Sequence, residues 1–282
     1  MPDRHSDVRL WTLAQVSFRK LNRLMVTALA SLGLAVGAQA ASAHPWLSSP
    51  LRTPQPETYF SNLKDGAQIE TPFVLKFGLS RYGLAPITKA VPQAGHHHLL
   101  VDRELPLDFD KPLPFNAQYI HFGKGQMETV LDFKPGTYKL RLLLANDKHI
   151  PYFIYSKPLT VVVTRKRAGI DPKTLVLPGV SLLAPATGES VQPPFRIVFH
   201  ASGLNVGSQE ITDTGVGHFR LVAERAGAPA ERIEFANGAT EAWIAPPPGD
   251  YNFRLELIGN AQGELMSTSP AVDVKVVKTP AP

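Results

Sequence analysis

The stretch PGTYKLRL at residues 135–142 returns as PGDYNFRL at residues 248–255, so the chain carries one short pattern twice. In both places a Pro-Gly pair is followed by a tyrosine and then by alternating apolar and polar residues. Proline and glycine interrupt regular structure, and alternation with period two puts every second side chain on one face of a strand. Each stretch therefore predicts a turn that leads into a half-buried β-strand.

Three further pairs of segments match between the two copies: GHHHLLVD (95–102) with GHFRLVAE (217–224), PFVLKF (72–77) with PFRIVF (194–199), and IHFGKGQME (120–128) with IEFANGATE (233–241). The first two pairs are offset by 122 residues, and the third is offset by 113, as is the tyrosine stretch. The first copy therefore holds nine extra residues, which we place within 103–119. A loop that only one copy has is a candidate for function.

The segments around these motifs are short, alternate with period two and are bounded by Gly, Pro and Asn, which indicates strands rather than helices. Pro-Gly-x-Tyr ahead of such a strand resembles the tyrosine corner of immunoglobulin-like sandwiches, where the hydroxyl bonds back to nearby backbone. The sequence therefore predicts an all-β fold of two tandem immunoglobulin-like (fibronectin-type) β-sandwiches after an N-terminal signal peptide.

The predicted organisation has six parts: a signal peptide (1–43), a Pro-rich N-terminal arm (44–58), a histidine-rich β-sandwich (59–163, the first copy), a linker (164–179), a degenerate second β-sandwich (180–278, the second copy) and a tail (279–282). The signal peptide is indicated by three basic residues ahead of an apolar run from Leu24 to Ala38, with small-residue sites that end at Ala40 and Ala43. The run of about 15 residues is short for a membrane span of about 20. We expect cleavage after Ala40 or Ala43, a periplasmic or secreted protein and no stable membrane span, with an uncleaved anchor as the alternative.

Composition excludes several classes of function. The chain has no cysteine, so disulfides, thiolate metal ligands and a cysteine nucleophile are excluded. The net charge of +5 falls to about +2 without the leader, which is too small to favour nucleic acid. A Gly-x-Ser-x-Gly elbow and a His-Glu-x-x-His motif are both missing from the sequence, so we expect a non-enzymatic protein.

Histidines that occur in one copy alone are not required by the fold. Phe219 of the second copy stands where the first has His97, so His97 is expected to face the core. The same alternation turns His96, His98 and His121 away from the core, on an exposed face. If their strands are neighbours, the three imidazoles converge.

Such a cluster can hold a transition metal. Neutral imidazole nitrogens bind Zn²⁺ or Cu²⁺, and His149 in the loop 146–151 can supply a fourth ligand. The sequence therefore predicts a copper or zinc site at His96, His98, His121 and His149. The alternative is a set of hydrogen-bonded histidines without an ion, in which case these residues and Tyr152–Tyr155 form a cell-envelope binding surface for glycan or peptide.

Three other features of the sequence are candidates for function. Lys124, between two glycines, can belong to an anion-binding nest or simply to a β-turn. His44 would begin the mature chain after cleavage at Ala43 and could then chelate Cu²⁺ with its own amino group; HPWLSSP (44–50) is similar to the start of periplasmic copper carriers. A hydrolase using metal-bound water would have only Asp102 and Glu128 as nearby carboxylates, and Glu128 is interpreted as a solvated strand position.

The motifs GHHHLL, HFGKGQ and His-Ile-Pro-Tyr together resemble the bacterial domain-of-unknown-function family 4399 over about residues 59–163. The resemblance implies a small exported protein. Tyr152 departs from the family, which usually places another histidine there, and no activity is carried over. By position, the residues that correspond to the family's motif are His96, His97, His98, His121, Lys124 and His149.

Overall fold

The structure is a computed structural model that describes residues 43–50, 55–106 and 108–278. The predicted tail lies outside the described residues, as does all of the predicted signal peptide except its last residue, Ala43. Within the described part of the chain, no helix is long and apolar enough to cross a membrane. The helical element described there is a single short 3-10 turn, Pro172–Leu175.

Strands account for the regular structure of both copies. The strands before the 3-10 turn are β1 (Leu47–Ser48), β2 (Glu57–Phe60), β3 (Ala67–Thr71), β4 (Phe73–Ser80), β5 (Gly83–Leu84), β6 (Ala94–Val101), β7 (Tyr119–His121), β8 (Glu128–Leu131), β9 (Gly136–Ala145), β10 (Pro151–Tyr155) and β11 (Leu159–Lys166). The strands after it are β12 (Gly179–Ala184), β13 (Glu189–Val191), β14 (Phe195–Ser202), β15 (Asn205–Val206), β16 (Val216–Glu224), β17 (Glu231–Phe235), β18 (Glu241–Ile244), β19 (Gly249–Gly259), β20 (Leu265–Thr268) and β21 (Val272–Val276).

The two copies have the same strand topology. In the first, the larger sheet has the order β3-β11-β9-β6-β5, with β7 on β6 and β10 on β9, and the smaller sheet is β2-β4-β8. In the second, the larger sheet is β13-β21-β19-β16-β15, with β17 on β16 and β20 on β19, and the smaller is β12-β14-β18 with β1 added at its edge. The core of each copy contains residues of both its sheets, as expected for a sandwich.

Both tyrosine corners form as predicted. The hydroxyl of Tyr138 donates to the carbonyl of Lys134 at 2.9 Å, and that of Tyr251 donates to Pro247 at 2.8 Å. In each case the bond fixes the chain as it enters the long strand β9 or β19. The all-β, immunoglobulin-like fold class predicted from the sequence is confirmed.

Part of the predicted Pro-rich arm is a strand. Leu47 and Ser48 pair with Ile244 and Trp243 of β18 in the second copy. The Trp46 ring packs edge-on against Tyr251, with 5.7 Å between ring centroids. The arm therefore extends a sheet of the second copy.

The two copies meet through a reciprocal pair of backbone contacts. Leu84 N donates to Gly238 O at 2.8 Å, and its counterpart Val206 N donates to Gly125 O at 2.9 Å. Both glycines have positive φ (85° for Gly125 and 77° for Gly238), and an added Cβ would lie 1.9 Å from Val206 O or 2.4 Å from Leu84 O. Contacts that repeat with the partners exchanged are the pattern of an isologous, two-fold interface. Both glycines are therefore needed by the turn and by the close approach of the other copy.

Glu128 lies at this junction, and its interpretation as a solvated residue is wrong. It is 8% exposed; its Oε2 lies 2.9 Å from His200 Nε2, and its Oε1 accepts hydrogen bonds from Ser202 Oγ (2.6 Å) and Gly203 N (3.1 Å). Burial alone would raise the pKa of Glu128, but the hydrogen bonds from His200 and Ser202, together with the charges of His200 and Lys76, lower it by more, so the net shift is downward. Alternation located the outer face of the strand correctly, but the second copy covers that face.

Candidate metal centre

Four histidines of the first copy converge on one point. His96 and His98 project from β6, and β7 places His121 directly opposite His98 in the strand register. His149 comes from the turn between β9 and β10. The Nε2 atoms of His96 and His98 are 3.0 Å apart, those of His121 and His149 are 3.2 Å apart, and one nitrogen from each of the four lies within 4.8 Å of the others. Strands β6 and β7 are therefore neighbours, as the predicted convergence of the histidines requires.

The predicted solvent exposure of this cluster is wrong. His96 and His98 are 0% exposed, and His121 and His149 are half-buried. The imidazoles do project from the face of the sheet that turns away from the sandwich core. That face is covered by the loop that only the first copy has, from which Leu113 and Phe109 pack on the apolar side chains of the same face.

The cluster histidines differ from a core histidine in the partner of Nε2. His97, on the core side, donates from Nε2 to the carbonyl of Gly78 at 3.3 Å and packs against the ring of Phe77, as expected for a core histidine. For His96 and His98, the polar contact of Nε2 is another histidine; Nδ1 has no hydrogen-bond partner within the described residues in these two, nor in His97. Their polar interactions are thus directed into the cluster.

Burial keeps these imidazoles neutral. It lowers the pKa of His96 to about 2 and that of His98 to about 3, and the neighbouring imidazoles lower both values further. The pKa of His121 is also lowered, by burial and by His149. The core residue His97 has its pKa lowered to about 4 by burial. A neutral imidazole offers the lone pair that a metal ion needs, so the cluster is in the ligating state near neutral pH.

The nitrogen spacing fits a four-coordinate ion. With metal–nitrogen bonds of 2.0–2.1 Å, neighbouring nitrogens of a tetrahedral site are about 3.3 Å apart. In a square arrangement they are about 2.9 Å apart along an edge and about 4.1 Å apart across it. The two Nε2 distances of 3.0 and 3.2 Å match either geometry, and all four nitrogens lie within 4.8 Å of one another, so the wider separations would have to shorten on coordination.

Local backbone features hold His121 and His149 in place. A Cβ on Gly123 would lie 2.2 Å from Cε1 and 2.4 Å from Nε2 of His121, so only glycine leaves room for that ring. His149 has a left-handed backbone with φ of 62°. Asn146 stabilises that turn, because its Oδ1 accepts hydrogen bonds from the backbone N of Lys148 (2.9 Å) and of Ile150 (3.0 Å).

We expect Gly123→Ala to displace the His121 ring and to weaken metal affinity by about 10- to 100-fold, a loss typical of changes that disturb a ligand's surroundings. Competition against a chelator of known affinity measures the effect. Gly179→Ala is the matched control, because a Cβ there meets nothing within 4 Å. Equal affinity of the two variants would contradict the assignment of Gly123 to the site.

Two other candidates lie outside the cluster. Lys124 is exposed, and its backbone N donates to Gln126 Oε1 at 2.8 Å, as in a β-turn. His44 lies beside the second copy, where its Nδ1 accepts from Trp46 N at 3.2 Å and its Nε2 is 3.3 Å from Glu231 Oε2. The copper-chelating role of His44 stays a prediction.

The aromatic side chains of β10 contact other residues of the first copy. Tyr152 donates its hydroxyl to the carbonyl of Ala94 at 3.3 Å and is not one of the four converging residues. Phe153 is 76% exposed, and its outward ring stacks on Phe109 with 4.1 Å between centroids. Tyr155 lies beneath the Arg141 guanidinium. Of the carboxylates considered for a hydrolase, Asp102 accepts from Lys139 N and Glu128 is bound at the junction.

The second copy fills the equivalent position with ion pairs. His218, the counterpart of His96, donates from Nδ1 to Asn260 Oδ1 at 2.7 Å, and its Nε2 lies 3.1 Å from Glu234 Oε2. Arg220, the counterpart of His98, pairs with Glu234 and with Glu256. Each of these groups has a charged or polar partner nearby, so the second copy needs no ion there.

Fold and site together define an all-β protein of immunoglobulin-like sandwiches with a histidine cluster that could hold a metal ion. Residues 75–164 match the family model described as Domain of unknown function (DUF4399), which confirms the resemblance seen in the sequence. The matched segment contains all four converging histidines.

The chain is similar to fibronectin(III)-like modules of Clostridium thermocellum CbhA (14% identity, TM-score 0.23, 78% of this chain and 94% of that one). It is also similar to the FN1-FN3 domains of chicken CNTN1, with 11% identity, a TM-score of 0.23 and coverage of 83% of this chain and 69% of that one. A third similar structure is dimeric latent PorU from Porphyromonas gingivalis, with 15% identity, a TM-score of 0.26 and coverage of 79% of this chain and 20% of that one. No curated protein matches the chain.

Proposed function

We propose that this chain is an exported, periplasmic, non-enzymatic protein whose first copy binds one transition-metal ion, copper or zinc. The ligands are His96, His98, His121 and His149. The observation that carries the proposal is the convergence of four imidazole nitrogens within 4.8 Å, two of them from fully buried side chains whose polar contacts are with one another.

The Nε2 atoms of the cluster contact one another rather than the backbone. They form two pairs, His96 with His98 and His121 with His149, and each pair can share a single N–H···N bond. His97 Nε2 donates instead to the carbonyl of Gly78, as in a histidine kept for packing. Coordination would replace the two separate pairs with one partner common to all four Nε2 atoms.

The ligand set favours copper or zinc and a binding role. Imidazole suits both metals, whereas Mg²⁺ and Ca²⁺ require oxygen ligands. A site with four protein ligands has no open position for a reacting water, which distinguishes structural and carrier sites from hydrolytic ones. Asp102 and Glu128 hydrogen-bond elsewhere and offer no base to such a water.

Metal analysis of the full-length exported protein tests the proposal. We expect about one copper or zinc ion per chain by elemental mass spectrometry and native mass measurement, since the cluster forms a single site. His98→Ala and His121→Ala should lose the ion. His218→Ala is the matched control, because it removes the corresponding histidine of the second copy and should retain it. Unchanged metal content in the first two variants would reject the site.

A further inference from the structure

The cluster is covered by a short segment that only the first copy has. We name residues 108–118 the capping segment. Phe109 stacks its ring on Phe153, with 4.1 Å between centroids and 10° between ring planes. Leu113 is 3% exposed and packs in one apolar group with Leu100 and Leu143 of the sheet. The segment therefore lies against the same face from which the histidines project.

One side chain of the capping segment lies directly against the cluster. The ring of Phe115 is 4.7 Å from that of His149 and 5.1 Å from that of His121, centroid to centroid, and it is 62% exposed. One side of this ring therefore meets the imidazoles, and the rest meets solvent. Phe115 therefore lies at the solvent side of the cluster, beside His121 and His149.

His96 and His98 are 0% exposed, so an ion can reach them only if part of the structure over that face moves. The strand that carries them is held by many backbone bonds, since β6 pairs with β9 from His96 to Val101 and with β7 from His98 to Leu100. The capping segment is held differently: side chains anchor it, one backbone bond joins its middle to the loop of the cluster, from Leu113 N to His149 O at 2.9 Å, and one joins its end to β6, from Val101 N to Gln118 O at 2.9 Å. Segments held by few backbone bonds open at the lowest free-energy cost.

We propose that the capping segment is a lid that opens to admit and release the ion and closes Phe115 over it. This inference rests on the proposed metal-binding function and adds a control on exchange. The stack of Phe109 on Phe153 is the latch, because it ties the segment to β10 outside the ligand set. Weakening the latch should speed exchange and leave the ligands unchanged.

The first test needs no metal. Diethylpyrocarbonate modifies neutral imidazoles that solvent can reach, and peptide mass spectrometry of the metal-free full-length protein reports His96 and His98 separately. We expect Phe153→Ala to raise their modification rates by about 3- to 10-fold, the factor that corresponds to losing one aromatic pair. Phe109→Ala breaks the same stack from the other side and should give the same result.

Tyr155→Ala is the matched control. It removes a second exposed aromatic of β10 whose ring lies against Arg141 rather than against the capping segment. Equal modification rates in the wild type, Phe153→Ala and Phe109→Ala would overturn the lid, as would an equal increase in Tyr155→Ala.

The second test measures release of Zn²⁺ or Cu²⁺ from loaded protein to an excess of chelator by stopped flow. We expect Phe153→Ala to release the ion faster by a similar factor, with the same metal content as the wild type. Equal release rates would overturn the lid while the metal site stands. If no variant binds an ion, the proposed function fails, and the modification rates still decide whether the segment opens.

Discussion

Replacing both His96 and His98 by leucine will weaken metal affinity by about 10,000-fold, which is about 5.5 kcal/mol, because two of four ligands are lost. The same change will stabilise the metal-free protein by about 1–2 kcal/mol, since two poorly satisfied buried polar side chains become apolar. Leucine suits the position, because Leu100 and Leu143 already form part of the face. Chelator competition gives the affinity, and urea unfolding with chelator present gives the free energy of unfolding.

The control for this pair is His97→Leu, which lies between them on the same strand. It removes the hydrogen bond to Gly78 O and leaves that buried carbonyl unpaired, so it should destabilise the protein by about 1–3 kcal/mol. It should keep the metal, because its side chain projects to the opposite face. A double variant that is less stable than the metal-free wild type would show that the cluster is retained for structure. If the free energy of unfolding rises in the double variant and falls in His97→Leu, the cluster histidines are functional and His97 is structural.

The convergence of the histidines could be predicted because the chain contains its own comparison. Period-two alternation assigned a face to each histidine, and the apolar residues of the second copy identified the core side. The remaining condition was that two strands be neighbours, which the register of His98 with His121 satisfies. The tyrosine corners were equally predictable, since they depend on a local contact four residues back in the chain.

Burial of the cluster was not predicted, although the sequence carries a signal for it. In the first copy residues 142–145 form an unbroken apolar run, whereas in the second copy Glu256 interrupts the corresponding run. An unbroken run is typical of a strand covered on both faces. The cover itself could not be placed, because the capping segment has no periodicity and its position depends on the packing of Phe109 and Leu113.

The contact between the two copies was not predicted from the sequence either. Period-two alternation predicts on which face of its strand Glu128 lies. Whether that face meets water depends on how the two copies pack, and no local sequence pattern encodes that packing. Its counterpart Glu241 shows the same effect, since it bonds Tyr59 of the first copy and Arg196 beside it. Both carboxylates therefore form contacts between the copies.

Removing one of these carboxylates by Glu128→Ala should lower the free energy of unfolding by about 3–5 kcal/mol, because His200, Ser202 and the Gly203 amide lose their common partner in a buried place. Urea unfolding at pH 7 measures the loss. Glu104→Ala, which breaks an exposed ion pair with Lys139, is the matched control and should cost far less, because solvent screens that pair.

The pH dependence of stability gives Glu128 a second test. Its pKa in the folded protein lies below the usual 4.5, so the carboxylate contributes stability above that pH, and the contribution is lost as pH falls through the folded pKa. The wild type should therefore lose stability more steeply than Glu128→Gln below about pH 4.5, and the two slopes should agree near neutrality. Parallel curves through the acid range, or a cost of Glu128→Ala no larger than that of Glu104→Ala, would mean that the copies are held together by their apolar contacts and the paired glycine turns without help from this carboxylate.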